Sequence, residues 1–392
     1  MLNTRRSYLL FALSLFTLLA RSASAAEKSP YSEGQFEKGK LVFIDHTPVL
    51  VLRGTPEEMG QQQAALTGDI VKSLIDYPRR LLSISIRANQ WQKCVNSARQ
   101  LFEQAPKTHS AELDAMTDKL KLDRDLILVA NTTMDIHRGG IACSSLIVEP
   151  SKSATGQPIF GRNLDFWTLG VLDKYGLVTV HLPANDSKDD KSAKKHAFAT
   201  VGYPGLVGCL SGMNDAGLAL AVHEVILTSD FAPMLNPKGM PYMLCFRKIL
   251  EQCTTIDEAE KLLRASERST ILSLAICDRK GGAVFELTPK TVAVRRGSDG
   301  LCINTNHFRT PELRVLEICP RYSTLSKAAA LPLLGVTDVA KQLDAVNQGG
   351  RTLQSMVFEP SPLVLHVAMG KCPATKEPYR TIELRGLFES AN

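Results

Sequence analysis

The chain has 392 residues, 44% hydrophobic and 22% charged, which is enough apolar material for a large globular core. Its formal charge of +6 comes from scattered basic residues; the densest run, Lys188 to Lys195, is interleaved with Asp186, Asp189 and Asp190 and reads as a solvated loop. A nucleic-acid-binding patch is therefore not expected. Beyond the N-terminal segment, no stretch has the length and apolarity of a transmembrane helix.

Residues 1–25 read as a signal peptide. Arg5 and Arg6 precede the apolar run Leu9 to Ala20, and Ala23-Ser24-Ala25 has the small-x-small form of a signal-peptidase site. Thr4-Arg5-Arg6-Ser7-Tyr8-Leu9 also fits a twin-arginine signal, so a general secretory and a twin-arginine route both stand. Either implies a periplasmic or extracellular protein with no stable membrane anchor. Removing Arg5, Arg6 and Arg21 leaves a formal charge of +3. Nine cysteines remain, an odd number that leaves at least one thiol unpaired in an exported chain. The others can pair or serve as free core residues. Neither a CxxC motif nor a Cys/His ligand spacing occurs, so neither a structural zinc nor a cofactor is expected.

After a polar linker over 27–40, residues 41–44 and 49–52 read as a hairpin around Pro48. Thr55 is then a good N-cap, Pro56 suits the first helical position, and Glu58 completes a capping box. From there to about His137 the apolar spacing is helical, through Leu74, Ile84, Leu113, Met116 and Leu128. Gly139-Gly140 ends this part. Short strands follow at roughly 143–149, 158–163, 175–182, 197–203, 207–213 and 217–223, then helices near 240–251 and 256–266. Strands at 271–277, 282–288, 291–296 and 301–304 precede helices near 313–330 and 337–347. Strands at 355–359, 362–368 and 380–385 close the chain. This order predicts an α+β fold, two packed antiparallel sheets covered by helices.

Chemistry concentrates around Cys143. It opens the strand Cys143-Ser144-Ser145-Leu146-Ile147-Val148 after a small-residue loop, and the next strand ends in Arg162-Asn163-Leu164-Asp165. A hairpin brings these ends together. On a regular strand Arg162 and Asp165 point to opposite faces, so both approach Cys143 only across a bulge or strand end. Read alone, the pair is equally a structural ion pair. A thiol nucleophile needs a base, and His137, His223 and His307 are candidates, the last two also reading as hydrogen-bonded core residues. A cysteine that becomes a chain terminus needs no histidine, because its freed α-amine, with a reference pKa of about 7.7–8.0, takes the thiol proton.

The chain resembles the N-terminal-nucleophile family of acyl-coenzyme A:6-aminopenicillanic acid acyltransferase, a family related to acid ceramidase and N-acylethanolamine acid amidase. The residues that carry the resemblance are Leu52-Arg53-Gly54-Thr55-Pro56-Glu57-Glu58-Met59-Gly60, Cys143-Ser144-Ser145-Leu146, Gly161-Arg162-Asn163-Leu164-Asp165-Phe166, Gly202-Tyr203-Pro204-Gly205-Leu206, Ser211-Gly212-Met213-Asn214 and Thr305-Asn306-His307-Phe308. It implies a four-layer αββα sandwich and a precursor cut between Ala142 and Cys143. The products would be a mostly helical piece (26–142) and a β-rich piece (143–392) that stay associated within one domain. By the same resemblance Cys143 is the nucleophile and its amine the base. Asp165 holds the amine, Arg162 supports the thiolate or orients the substrate carbonyl, and Asn306 donates to the oxyanion. Tyr203 and Arg321 are substrate-binding candidates. Ala142 departs from the glycine of the fungal acyltransferases, and the Cys143–Asp165 interval is longer than in the amidase relatives, an excess assigned to the Ser151–Gln157 turn.

The expected activity is that of an exported, self-processing cysteine amidase cleaving N-acylated small molecules through a thioester. Acyl transfer to an amine, a papain-like thiol hydrolase without cleavage, and a non-catalytic binding protein of the same fold are the alternatives.

Overall fold

Pairing of alternate residues to opposite faces builds two sheets whose central strands, such as Ala142–Val148 and Ile159–Asp165, are buried on both sides. The computed structural model describes residues 29–83, 90–184, 195–315 and 318–389; the signal segment, Ile84 and most of the Lys188–Lys195 run lie outside them. The account below concerns the unit Tyr31–Asn392.

In chain order the strands and helices are β1 (Gly34–Phe36), β2 (Gly39–Ile44), β3 (Thr47–Gly54), α1 (Pro56–Leu74), α2 (Tyr77–Ser83), α3 (Trp91–Phe102), α4 (Lys107–Leu120) and α5 (Arg124–Ile136). Six strands follow: β4 (Ala142–Val148), β5 (Ile159–Asp165), β6 (Leu177–Pro183), β7 (Phe198–Gly202), β8 (Ser211–Asn214) and β9 (Ala219–Glu224). Then come α6 (Tyr242–Gln252), α7 (Ile256–Ala265), β10 (Leu272–Asp278), β11 (Gly281–Leu287), β12 (Val292–Arg296) and β13 (Leu301–Asn304). The chain ends with α8 (Pro320–Ser326), α9 (Val336–Asp344), β14 (Thr352–Glu359), β15 (Val364–Met369), β16 (Arg380–Glu383) and α10 (Leu384–Glu389).

A ten-stranded sheet runs in the order β1-β2-β3-β6-β7-β8-β9-β10-β11-β12, and a six-stranded sheet in the order β13-β4-β5-β14-β15-β16. Pairing is antiparallel except between β3 and β6. Val49 and Val51 of β3 join Ile147, Phe160, Met356 and Phe358 in the core between the sheets. Leu50 and Leu52, on the opposite face, pack with Met59 of α1 and with Tyr242 and Phe246 of α6. On the far side, Leu146, Ile159 and Val357 pack against Leu325 of α8 and Val339 and Leu343 of α9. The layers are therefore helix, sheet, sheet, helix, as expected. Among the described residues no helix is long and apolar enough to cross a membrane.

Local signals hold where they are self-contained. Thr55 caps α1, with both bonds of the capping box formed to Glu58. Elsewhere the structure corrects the sequence reading. The first turn is Asp45-His46, both at positive φ (43° and 62°), and Pro48 lies inside β3, just before the β6 pairing begins at Val49, where its missing N–H costs no ladder bond. Residues 34–36 of the supposed linker form β1. The helix expected over 313–330 starts only at Pro320, and residues 384–385, read as strand, open α10. All nine cysteines are free thiols, eight of them buried.

Candidate active site

The β4–β5 hairpin sets the frame. Its register places Ala142 opposite Asp165, Cys143 opposite Leu164 and Ser145 opposite Arg162. Because Ile147 and Phe160 face the other sheet, Cys143, Ser145 and Arg162 lie on that same inner face by the strand period. Asp165 sits at the strand end on the opposite parity. There β14 is irregular, pairing Thr352 with Asp165 but Gln354 with Leu164. The irregularity is on β14, while β5 stays in register with β4 through Asp165, its last residue, so the two residues approach across a strand end and not a bulge in β5.

Cys143 is fully buried, with its backbone held from both sides. Its N–H donates to Asn306 Oδ1 at 2.8 Å. Its carbonyl accepts from Arg321 Nη1, which also donates to Ser144 Oγ at 3.0 Å. Arg321 Nη2 donates to Asn306 Oδ1 at 2.9 Å. Arg321, carried by α8, thus ties the start of β4 to the Asn306 loop. Asn306 Nδ2 donates to Glu224 O at 2.8 Å and Ile141 O at 3.3 Å, so both halves of this amide are engaged. Burial pushes the Cys143 thiol up; Arg162 and Arg321 pull it down, Asp165 pushes it up, and a hydrogen bond with the Asp165 backbone favours the thiolate.

Arg162 is fully buried and makes one hydrogen bond, from Nη2 to Val222 O at 3.2 Å. Asp165 Oδ1 accepts from Thr352 Oγ1 at 2.6 Å. Burial raises the Asp165 carboxyl to about 6, against the lowering effect of Thr352 and of Arg321, Arg162 and Arg351. The expected residues Cys143, Arg162, Asp165, Asn306 and Arg321 therefore converge on one point.

Tyr203 lines a partly open cavity beside that point, with Ile141, Leu164, Phe166, Leu206 and Leu210. Leu164 is the cross-strand partner of Cys143 and Ile141 lies two residues before it, so the cavity begins at the neighbours of Cys143. Its wall is almost wholly apolar side chain, which suits a hydrocarbon group.

Several residues here were missed in the sequence. The two carboxylate oxygens of Glu224 accept from Gly139 N and Ile141 N, each at 2.8 Å, and Arg138 Nε stands 3.4 Å from Glu224. Arg351 Nη2 donates to Gly140 O at 2.6 Å, and its guanidinium stacks on Trp167 at 4.3 Å. The loop before Cys143 is thus gripped on donors and acceptors alike. One available signal was an acid ending the apolar run Ala219-Leu220-Ala221-Val222-His223. Cys319 was also passed over. Burial raises its thiol, but hydrogen bonds with His307, the Tyr322 backbone and Thr305, with the charge of Arg321, bring it down to about 6. That contact ties His307 into the loop carrying Asn306. Among the described residues, no group of three or more His, Cys, Asp or Glu side chains is arranged to hold a metal ion.

Comparison with known proteins places the resemblance on firmer ground. Residues 152–331 match the family model of acyl-coenzyme A:6-aminopenicillanic acid acyl-transferase, a span that includes Arg162, Asp165, Tyr203, Asn306 and Arg321 and begins after Cys143. A protein from Archaeoglobus fulgidus is 22% identical over 382 residues, covering 82% of this chain, which spans 58% of that relative's length. Among solved structures, the fold is similar to the Caenorhabditis elegans ortholog of N-acylethanolamine-hydrolyzing acid amidase (16% identity, 62% of this chain and 100% of that one, TM-score 0.43). It is also similar to conjugated bile acid hydrolase from Clostridium perfringens (14% identity, 62% and 93%, TM-score 0.44). Penicillin V acylase from Agrobacterium tumefaciens matches at 14% identity, over 58% and 83% of the two chains, with a TM-score of 0.40.

Proposed function

Because residues 152–331 carry the match to the acyl-coenzyme A:6-aminopenicillanic acid acyl-transferase family, we propose that the chain is a self-processing cysteine amidohydrolase with Cys143 as nucleophile. The observation that carries this reading is the double hold on Cys143, Asn306 on its N–H at 2.8 Å and Arg321 on its carbonyl, next to an apolar cavity.

In the precursor the thiol attacks the Ala142 carbonyl, which the Glu224 and Arg351 contacts to residues 139–141 hold in place. The Ala142–Cys143 carbon–nitrogen bond breaks as the nitrogen takes up the thiol proton, which frees the Cys143 α-amine and leaves Ala142 as a thioester on sulfur. Water then hydrolyses that thioester, releasing the Ala142 carboxylate and the thiol. The amine then takes the thiol proton, with Arg162 favouring the thiolate electrostatically. Once residue 142 is a free end, Asn306 Nδ2 is released from Ile141 O and becomes a donor for the oxyanion. Attack on a bound amide gives a tetrahedral intermediate; the α-ammonium protonates the leaving amine, and the acyl group stays on sulfur until water removes it. The cavity favours a long apolar acyl group. Hydrolysis ranks above acyl transfer because the proposed export route leads to surroundings where water is the abundant acceptor.

The two pieces stay associated in this reading. Arg247, after the cut, pairs with Glu112, before it, at 2.6 Å in a buried site, and the core joins Met59 with Tyr242 and Phe246. The test is acyl-enzyme trapping. Wild-type protein given dodecanoyl p-nitroanilide and acid-quenched should gain one dodecanoyl mass on the peptide containing Cys143. Turnover without such an adduct, even in rapid quench, would leave the thiol without its role.

A further inference from the structure

Behind Cys143, between the two sheets, lies a group of buried polar side chains whose free polar atoms the catalytic scheme leaves without partners. Arg162 Nε and Nη1, Ser145 Oγ, Tyr203 Oη, Ser211 Oγ, both ring nitrogens of His223 and Gln354 Oε1 are buried and make no hydrogen bond within the protein. The strand registers bring them together. Ser145 is directly opposite Arg162, and Gln354, opposite Leu164, is its diagonal neighbour. Gln354 Nε2 crosses to the other sheet, donating to Gly202 O at 3.1 Å beside Tyr203. Arg162 Nη2 crosses likewise to Val222 O, beside His223. Ser211, opposite Ala221, is diagonal to His223.

The circuit closes on itself. His223 is opposite Ser273, Ser273 Oγ accepts from Asn304 Nδ2 at 2.9 Å, and Asn304 is opposite Ser145. On each strand these residues share parity with inter-sheet core residues, namely Ile147, Phe160, Met213, Ala221, Ala275, Cys302 and Met356, so the strand residues among them face the same interior, with Tyr203 following β7. Arg162 and Arg321 both keep His223 in its neutral form, after burial itself; a neutral imidazole offers one donor and one acceptor.

Isolated buried polar atoms are rare in native proteins, and a ring of them facing one interior is the setting in which internal water is held. The acyl cavity is the opposite case: an apolar cavity stays dry. Cys143 sits between the two, sharing a face of β4 with Ser145.

We propose that these polar groups hold a buried water cluster between them that supplies the water for hydrolysis of the acyl-thioester. The proposal rests on the amidohydrolase reading and extends it to the choice between water and amine as acceptor. In the step, the water oxygen bonds to the acyl carbon and passes a proton to the Cys143 α-amine. The carbon–sulfur bond breaks with its electron pair going to sulfur, the amine returns the proton to the thiolate, and the carboxylic acid leaves. His223 and Ser211 orient the water without touching the acyl group.

Two measurements test it. A high-resolution crystal structure of the full chain carrying Cys143→Ala should show ordered waters about 3 Å from Arg162 Nε and Nη1 and from His223. A dry or collapsed site overturns the proposal. The second measures partition. With dodecanoyl p-nitroanilide as donor and hydroxylamine as competing acceptor, Ser211→Val and His223→Leu should lower the ratio of dodecanoic acid to hydroxamate about tenfold while nitroaniline release in the burst is unchanged. His223→Asn should restore the ratio, which a merely structural role would not do. A normal burst with an unchanged ratio overturns this proposal alone; a wild-type protein that turns over no amide overturns the hydrolase reading and the water's kinetic role together.

Discussion

Asn306 Oδ1 accepts the backbone N–H of Cys143 at 2.8 Å while its Nδ2 donates to Glu224 O and Ile141 O. One amide therefore spans the bond proposed to be cut, gripping the residue after it and the second residue before it. Replacing Asn306 by Ala removes the grip in the precursor and the donor in the product. Turnover of an N-acyl amide by Asn306→Ala should fall about 10²–10³-fold in kcat with KM little changed, the usual loss for one oxyanion donor. A rise in KM at constant kcat would assign Asn306 to substrate binding instead.

The pH dependence of stability should carry the mark of Asp165. Its carboxyl is raised from 3.8 to about 6 by burial, so between those values the native state holds a proton that the unfolded chain releases. Its stabilising contribution is complete below about pH 4 and is lost as pH rises through 6, an order-of-magnitude change of about 3 kcal/mol. In the Cys143→Ala background, which keeps one chain, Asp165→Asn should therefore match its parent at pH 4 and exceed it at pH 7 in urea unfolding. The slope that remains belongs to groups such as Asp135, raised by burial to about 7.

Arg247 is the centre of a buried charge cluster. Its Nη2 lies 2.6 Å from Glu112, its Nε 2.8 Å from Glu251, and its Nη1 donates to Val207 O at 2.8 Å. Arg247→Met leaves buried Glu112 without its cation and Glu251 with only Lys195 at 3.5 Å and His109 at 3.1 Å, and should cost about 3–5 kcal/mol. Urea unfolding of the Cys143→Ala background reads this directly; a cost below 1 kcal/mol would mean that water reaches the cluster.

Filling the apolar cavity should shorten the preferred acyl group. Ala130, on α5, lines it. Ala130→Phe should lower kcat/KM for dodecanoyl p-nitroanilide far more than for the butanoyl analogue, since each excluded methylene forfeits about 0.8 kcal/mol. Equal losses for both would place the acyl group elsewhere.

The parts of this molecule that could be read from sequence are those whose cause is local. Thr55 and Glu58 cap a helix within one turn, and the β4–β5 hairpin follows from two apolar runs joined by the connection 149–158. The convergence of Arg162, Asp165, Asn306 and Arg321 on Cys143 was available only through the family motifs, because no spacing rule links β5 with the 305–308 loop. The misreadings have long-range causes. Residues 309–310 are held as a loop because Arg309 N and Thr310 N donate to Glu286 on β11, so the apolar residues after them do not begin a helix. Glu224 and Arg351 were silent because their partners are backbone groups 83–85 and 211 residues away in the chain.

The central claim is that Cys143 becomes a chain terminus and supplies its own base. Intact-mass analysis with N-terminal sequencing of purified wild-type protein tests it most directly. A fragment beginning Cys143-Ser144-Ser145 should be found, and it should be absent from Cys143→Ala. An active protein in which residues 142 and 143 remain joined would contradict the account and return the search for a base to a side chain.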